Sequence, residues 1–128
     1  MLKGYRASCH CGKVVVQADL DLTQPSYRCN CSICRRNRFW AAIAKPEGFK
    51  LLSGELELTK YLFGSMKGQH FFCKHCGVRV FGIGPGMNGI NIGCLEGVTE
   101  EELSTVPITY VDGMNDRWND KPQFWQHI

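Results

Sequence analysis

At 128 residues, the chain has the length of one ordinary domain, enough to bury a core and too little for two independent ones. Apolar residues make up 44% of it and charged residues 21%, a composition that excludes a disordered chain. The formal charge of +3 suits an anionic small molecule better than nucleic acid, which calls for a dense basic field, and no run approaches the ~20 apolar residues of a membrane-spanning helix.

In chain order, the first residues lack the charged start and apolar run of a signal peptide, so a cytoplasmic location is expected. Residues 13–18 are β-branched and bounded by Gly12 and Asp19, which predicts a strand. A single helical turn is expected over 33–38, then a strand at Ala41–Ala44 that stops before Pro46. Residues 56–62, 78–83 and 90–95 alternate with period two, and three glycines with a proline predict a mobile loop over 84–89. Thr99, with Glu102 three residues on, has the form of a helix capping box, kept short by Pro107. Ile108–Val111 reads as a last strand, and Trp118, Phe124 and Trp125 as caps on the core. The sum is an all-β or β-dominated fold in a single domain, 1–128.

Seven of the eight cysteines fall in three clusters: Cys9/Cys11, Cys29/Cys31/Cys34 and Cys73/Cys76. Disulfide frameworks spread their cysteines to staple distant loops, whereas clusters in a reducing compartment point to metal. Zinc takes about four soft ligands in a tetrahedron. Cys73-x-x-Cys76-Gly77 is a zinc-knuckle form, in which the glycine can take positive φ, and Cys9-x-Cys11-Gly12 is a tighter variant. Three thiolates within Cys29-x-Cys31-x-x-Cys34 can surround one side of an ion and leave a position open, as catalytic zinc requires. Spacing alone leaves two partitions. Cys31/Cys34 with Cys73/Cys76 would strand three cysteines; Cys9/Cys11 with Cys73/Cys76 makes a closed site and leaves the triple cluster open. His10 and His75 are expected to stay off the metal, and Cys94 to be a buried, inert thiol. Arg28, Arg35, Arg36 and Arg38 flank the triple cluster, where they can offset thiolate charge and pair with a carboxylate, and Phe39 and Trp40 are read as core or as pocket wall.

The order C-x-C-G, C-x-C-x-x-C-R-R, Ser53-Gly54-Glu55, Phe71-Phe72-Cys73-x-x-Cys76-Gly77 and Asn91-Ile92-Gly93-Cys94-Leu95 resembles the glutathione-dependent formaldehyde-activating enzyme family, which includes centromere protein V. The resemblance implies a zinc-stapled β "tent" with two zinc ions, and a carbon–sulfur lyase reaction in which glutathione and formaldehyde combine to S-hydroxymethylglutathione. It implies Cys9, Cys11, Cys73 and Cys76 as structural zinc ligands and Cys29, Cys31 and Cys34 as catalytic ones. Arg35 and Arg36, with Lys74, would hold the carboxylates of glutathione or a related thiol while its sulfur meets a small aldehyde. The chain departs from the family pattern at Asn30, where histidine is frequent, and at Asn37-Arg38-Phe39, where a glycine is frequent. The competing expectation is a non-catalytic zinc-binding module, either a glutathione carrier or a chromatin-associated protein. The small net charge and the lack of a basic tail speak against the chromatin version.

Overall fold

Strand-forming runs of four to six residues broken by glycine, proline and asparagine dominate the chain. The computed structural model describes residues 1–128 and turns these runs into ten strands and two short helices. In order they are β1 (Lys3–Ser8), β2 (Val15–Leu20), β3 (Ser26–Cys29), α1 (Ser32–Asn37), β4 (Ala41–Ala44), β5 (Phe49–Ser53), β6 (Leu58–Tyr61), β7 (Gln69–Cys73), β8 (Phe81–Gly84), β9 (Met87–Asn91), α2 (Glu100–Ser104) and β10 (Ile108–Val111). The protein is therefore β-rich, as expected. One sheet has the order β1-β2-β5, the other β10-β3-β4-β9-β8-β7-β6. Every pairing is antiparallel except that of β10 with β3.

Alternation places the core between the sheets. Val16, Ala18 and Leu20 of β2 point inward while Gln17 and Asp19 face out, and Ala42, Ala44 and Ile90 meet them from the larger sheet. Phe81 is the central aromatic, with ring centroids 5.0 Å from Phe49 and 4.9 Å from Phe71. Cys9 and Cys73 belong to this same buried cluster, so one cysteine group is built into the core.

The strands at Ala41–Ala44 and Ile108–Val111 form as expected, and Thr99 caps α2 by accepting the Glu102 N–H at 3.1 Å. Elsewhere the backbone is diverted. β2 starts late because Val14 closes the first cysteine turn, accepting the Cys9 N–H at 3.0 Å. The run 56–62 opens with a 3-10 turn, Glu55–Glu57, entered from Gly54 at φ +94°, where a Cβ would lie 2.4 Å from the Lys13 carbonyl oxygen. The run 90–95 leaves the sheet after Asn91, whose side chain accepts the Gly93 N–H at 3.1 Å and starts a second 3-10 turn. In place of a mobile loop over 84–89, Pro85-Gly86 makes a tight turn between β8 and β9, with Gly86 at φ +71°. The tail does not cap the core. Trp118 and Phe124 are 56% and 67% exposed, and Trp125 packs on Tyr110 at the β10 edge, 4.8 Å between centroids. Pro122 and Ile128 of the tail are buried, but neither joins the core between the sheets, which Val106 and the alternating aliphatics fill. No helix is long and apolar enough to cross a membrane.

Candidate metal centres

Two turns build the first centre, and they are near copies. Each begins where a strand ends, at Cys9 after β1 and at Cys73 on β7. In each, the cysteine N–H bonds the carbonyl of a valine five residues on, Cys9 to Val14 and Cys73 to Val78, both at 3.0 Å. In each, a glycine of positive φ donates back to the cysteine carbonyl: Gly12 (φ +81°) at 3.1 Å and Gly77 (φ +77°) at 2.8 Å. The turns face one another. Cys9, Cys11, Cys73 and Cys76 put their sulfurs within 4.8 Å of one another, with Cys9 Sγ to Cys11 Sγ and Cys11 Sγ to Cys73 Sγ both 3.6 Å. The Val14 N–H points at Cys9 Sγ, 3.3 Å away. N–H groups of Cys11 and Val78 hold the Cys76 thiol down to about 6.

The second centre is local. Cys29 ends β3, Cys31 is the N-cap of α1 and Cys34 lies in its first turn, which brings three sulfurs within 4.8 Å. The Cys31 N–H points at Cys29 Sγ, 3.4 Å away. Hydrogen bonds from Cys29 and then Cys34 pull the Cys31 thiol down to about 2. The Cys31 bond pushes Cys29 up while the Cys34 bond pulls it partly back, and bonds from Cys29 and then Cys31, with burial behind them, push Cys34 up much further. Negative charge on one of three sulfurs this close disfavours it on the other two, and a bound cation would relieve that repulsion. No fourth histidine, cysteine or carboxylate completes the group.

Both groups suit a thiophilic divalent ion. Four ligands at ~2.3 Å in a tetrahedron set sulfurs roughly 3.8 Å apart, close to the spacing observed and far beyond a disulfide bond. All eight cysteines are free thiols. His10 is exposed, and His75 pairs with Glu57 rather than with a sulfur. Cys94, half-buried, stands apart in its 3-10 turn, and burial pushes its thiol up to about 11.

The three-cysteine group floors a cleft of about 810 Å³, whose rim carries Phe63, His70, Met87, Met114 and Trp118. Parallel pairing of β10 with β3 places Val111 beside Cys29, so the following loop lies over the cluster. Gly113 must be glycine there: a Cβ would sit 2.6 Å from Cys29 Sγ and 2.8 Å from the Trp118 ring. Asn30, buried beneath the loop, donates to Asp112 Oδ1 at 2.8 Å and accepts the Met114 N–H at 2.9 Å. Hydrogen bonds from Asn30 and then Asn115 hold the Asp112 carboxyl below the usual aspartate range.

Of the flanking arginines, Arg35 and Arg36 line the cleft, and Arg36 Nη1 also donates to the Ser32 carbonyl at 2.8 Å. Arg28 stacks over Trp40 at 5.2 Å, and Arg38 bonds the His127 carbonyl at 2.9 Å. Lys74 belongs to the four-cysteine turn and does not line the cleft. Phe39 is buried and Trp40 half-buried, both packed as interior. Sequence reading missed His70, Arg79 and the Asn30–Asp112 pair. The one available signal was Arg79 itself, a charge inside the apolar run Val78-Arg79-Val80-Phe81.

A β-rich fold that presents one four-sulfur group at the edge of its core and one three-sulfur group on a cleft defines a protein able to hold metal at two kinds of cysteine site. Residues 4–125 match the family described as glutathione-dependent formaldehyde-activating enzyme, and the chain belongs to that family. Its fold is similar to the crystal structure of a Rhodobacter sphaeroides protein, with a TM-score of 0.73 and 35% identity, over 81% of this chain and 99% of that one.

Proposed function

We propose that the protein is a zinc-dependent enzyme of the carbon–sulfur lyase type that joins glutathione or a related thiol to formaldehyde or another small aldehyde. Cys9, Cys11, Cys73 and Cys76 hold a structural ion, and Cys29, Cys31 and Cys34 hold a catalytic one. The observation that supports this is the difference in donor number: four sulfurs where Cys9 and Cys73 root the site in the core, three where it floors the cleft. When bound by these three thiolates, zinc would supply a Lewis acid able to keep a substrate thiol ionised at neutral pH.

The chain's own residues bind and shield. Arg35 and Arg36 offer guanidinium forks to the carboxylates of the thiol at the cleft mouth. Phe63, Met87 and Trp118 give the reacting carbon an apolar wall that limits competition from water. In the addition a carbon–sulfur bond forms at the aldehyde carbon, its π bond opens, and the proton lost by the thiol ends on the former carbonyl oxygen. No oxidant or reductant is required. A cytoplasmic location, where thiols stay reduced, suits eight free cysteines.

Calorimetric titration of the zinc-loaded protein with glutathione, beside Cys31→Ser, tests the reading. The parent is expected to bind and the variant to bind about tenfold or more weakly. With ¹³C-formaldehyde, the hydroxymethyl adduct is expected to form faster with the parent than in buffer. Absence of binding overturns the reading, and binding without acceleration replaces the enzyme by a glutathione carrier.

A further inference from the structure

Beyond His70 the three-cysteine cleft meets a second cavity of about 370 Å³, and Ile33, Arg36 and His70 line both. Arg79 forms part of its wall. The guanidinium lies over the Phe39 ring at 4.2 Å, and its Nη2 fills the space left by the missing side chain of Gly82, where a Cβ would come within 2.5 Å. Its Nε and Nη1, both shielded from water, have no hydrogen-bond partner, and neither does Nδ1 of His70. No carboxylate pairs with Arg79. Although the chain has 12 acidic residues, none lines either cavity.

A half-buried guanidinium with orphaned N–H groups is costly, and proteins keep one where an acceptor arrives from outside. Burial disfavours its charge, which the sulfurs of Cys34 and Cys31 offset only in part. His70 stands across from Gly82 in the β7–β8 register, so the two unsatisfied groups belong to neighbouring strands beside the cluster. Their shared deficit is an acceptor, and a single carboxylate, with an oxygen for each, supplies one to Arg79 and one to His70.

We propose that Arg79 and His70 form a carboxylate subsite, so that the thiol taken by the cysteine cleft is one that carries a carboxylate a few bonds from its sulfur. This rests on the thiol reading above and specifies it. The carboxylate enters the side cavity, the Nη1 N–H of the guanidinium donates to one of its oxygens, and His70 donates the second contact. Arg36, common to both cavities, adds charge at the junction.

The test is calorimetry on the zinc-loaded full chain with four probes: glutathione, glutathione diethyl ester, 2-mercaptoethanol and S-methylglutathione. The parent is expected to prefer glutathione over its diester. Arg79→Met is expected to weaken glutathione binding about tenfold or more and to erase that preference, while leaving 2-mercaptoethanol unchanged. Gly82→Ala, which keeps the charge but displaces Nη2, is expected to give the same selective loss, and His70→Gln a smaller one. Equal weakening of glutathione and 2-mercaptoethanol by Arg79→Met would overturn the subsite and make the guanidinium a counter-charge to the cysteines. Equal parent affinity for glutathione and its diester would overturn it too. Should no free thiol bind, the enzyme reading fails by itself. S-Methylglutathione, which has no thiol to offer, then decides: binding that depends on Arg79 keeps the subsite, and its absence removes it.

Discussion

Cys11 and Cys73 lie 62 residues apart and meet at 3.6 Å, whereas Cys29, Cys31 and Cys34 sit on one strand end and the helix that follows it. Two members of the four-cysteine group, Cys73 fully buried and Cys9 nearly so, belong to the hydrophobic core, while Cys76 is half-buried and Cys11 exposed. The three-cysteine group is half-buried throughout and opens on a cleft. Joining distant segments stabilises a fold, and a donor set drawn from one segment frees the rest of the chain to build walls around it. The contrast teaches that the two groups are built differently: one brings the end of β1 to β7, the other opens on a cleft.

The largest effect that would break this comparison belongs to the core. Cys73→Ser leaves a buried site with three sulfurs and a misplaced hydroxyl, and is expected to cost about 4 kcal/mol or more of stability, or the fold itself. Thermal melting followed by circular dichroism, with and without a chelator, checks it. Cys31→Ser is expected to shift the melt far less while bound zinc falls by one ion, and an equal shift would erase the distinction.

Next is Gly113→Ala, whose methyl group would collide with Cys29 Sγ and the Trp118 ring. It is expected to reduce thiol binding several-fold and to leave the zinc content of the four-cysteine group unchanged, read by calorimetry and metal analysis. Asn30→Leu comes third. It removes both bonds that hold the 112–114 loop, and a fall in melting temperature of roughly 3–6 °C is expected. The pH dependence follows from the sign of the shift. The Asp112 carboxyl is held below its ordinary 3.8, so its contribution is complete above that value and is lost as pH falls through the lower, folded one. In Asn30→Leu the loss is expected to begin at higher pH, visible in a carboxyl NMR titration. The smallest effect is expected of Lys74→Ala. Its residue lies at the wrong centre, so glutathione affinity should match that of the parent.

Much of the metal chemistry was legible because its signal is local. Two cysteines spaced x or x-x and followed by glycine report a turn, and both turns have the same hydrogen bonds once folded. The strands at Ala41–Ala44 and Ile108–Val111 and the Thr99 cap were readable for the same reason. β1, β3, β5 and β7 were not read. Lys3-Gly4-Tyr5-Arg6-Ala7-Ser8 is a strand because β2 pairs with all six of its residues, and β7, Gln69–Cys73, joins a polar end to an aromatic one with little alternation. The cleft walls were the least legible part. Asn30 and Asp112 are separated by 82 residues, and nothing about either residue alone announces its partner. Trp118 reads as a core aromatic until the parallel pairing of β10 with β3 shows that it stands over Cys29.

That parallel pairing also sets an order of assembly. A chain made from its N-terminus releases Cys29, Cys31 and Cys34 together, so they are competent to capture a thiophilic ion while β7 is still unwritten. The four-cysteine centre must wait for Cys76 and then close a long loop, an entropic cost that grows slowly with length but delays folding. β10 and the loop over Cys29 arrive last. The three-cysteine cluster is thus the first of the two groups to be complete and the last to be roofed.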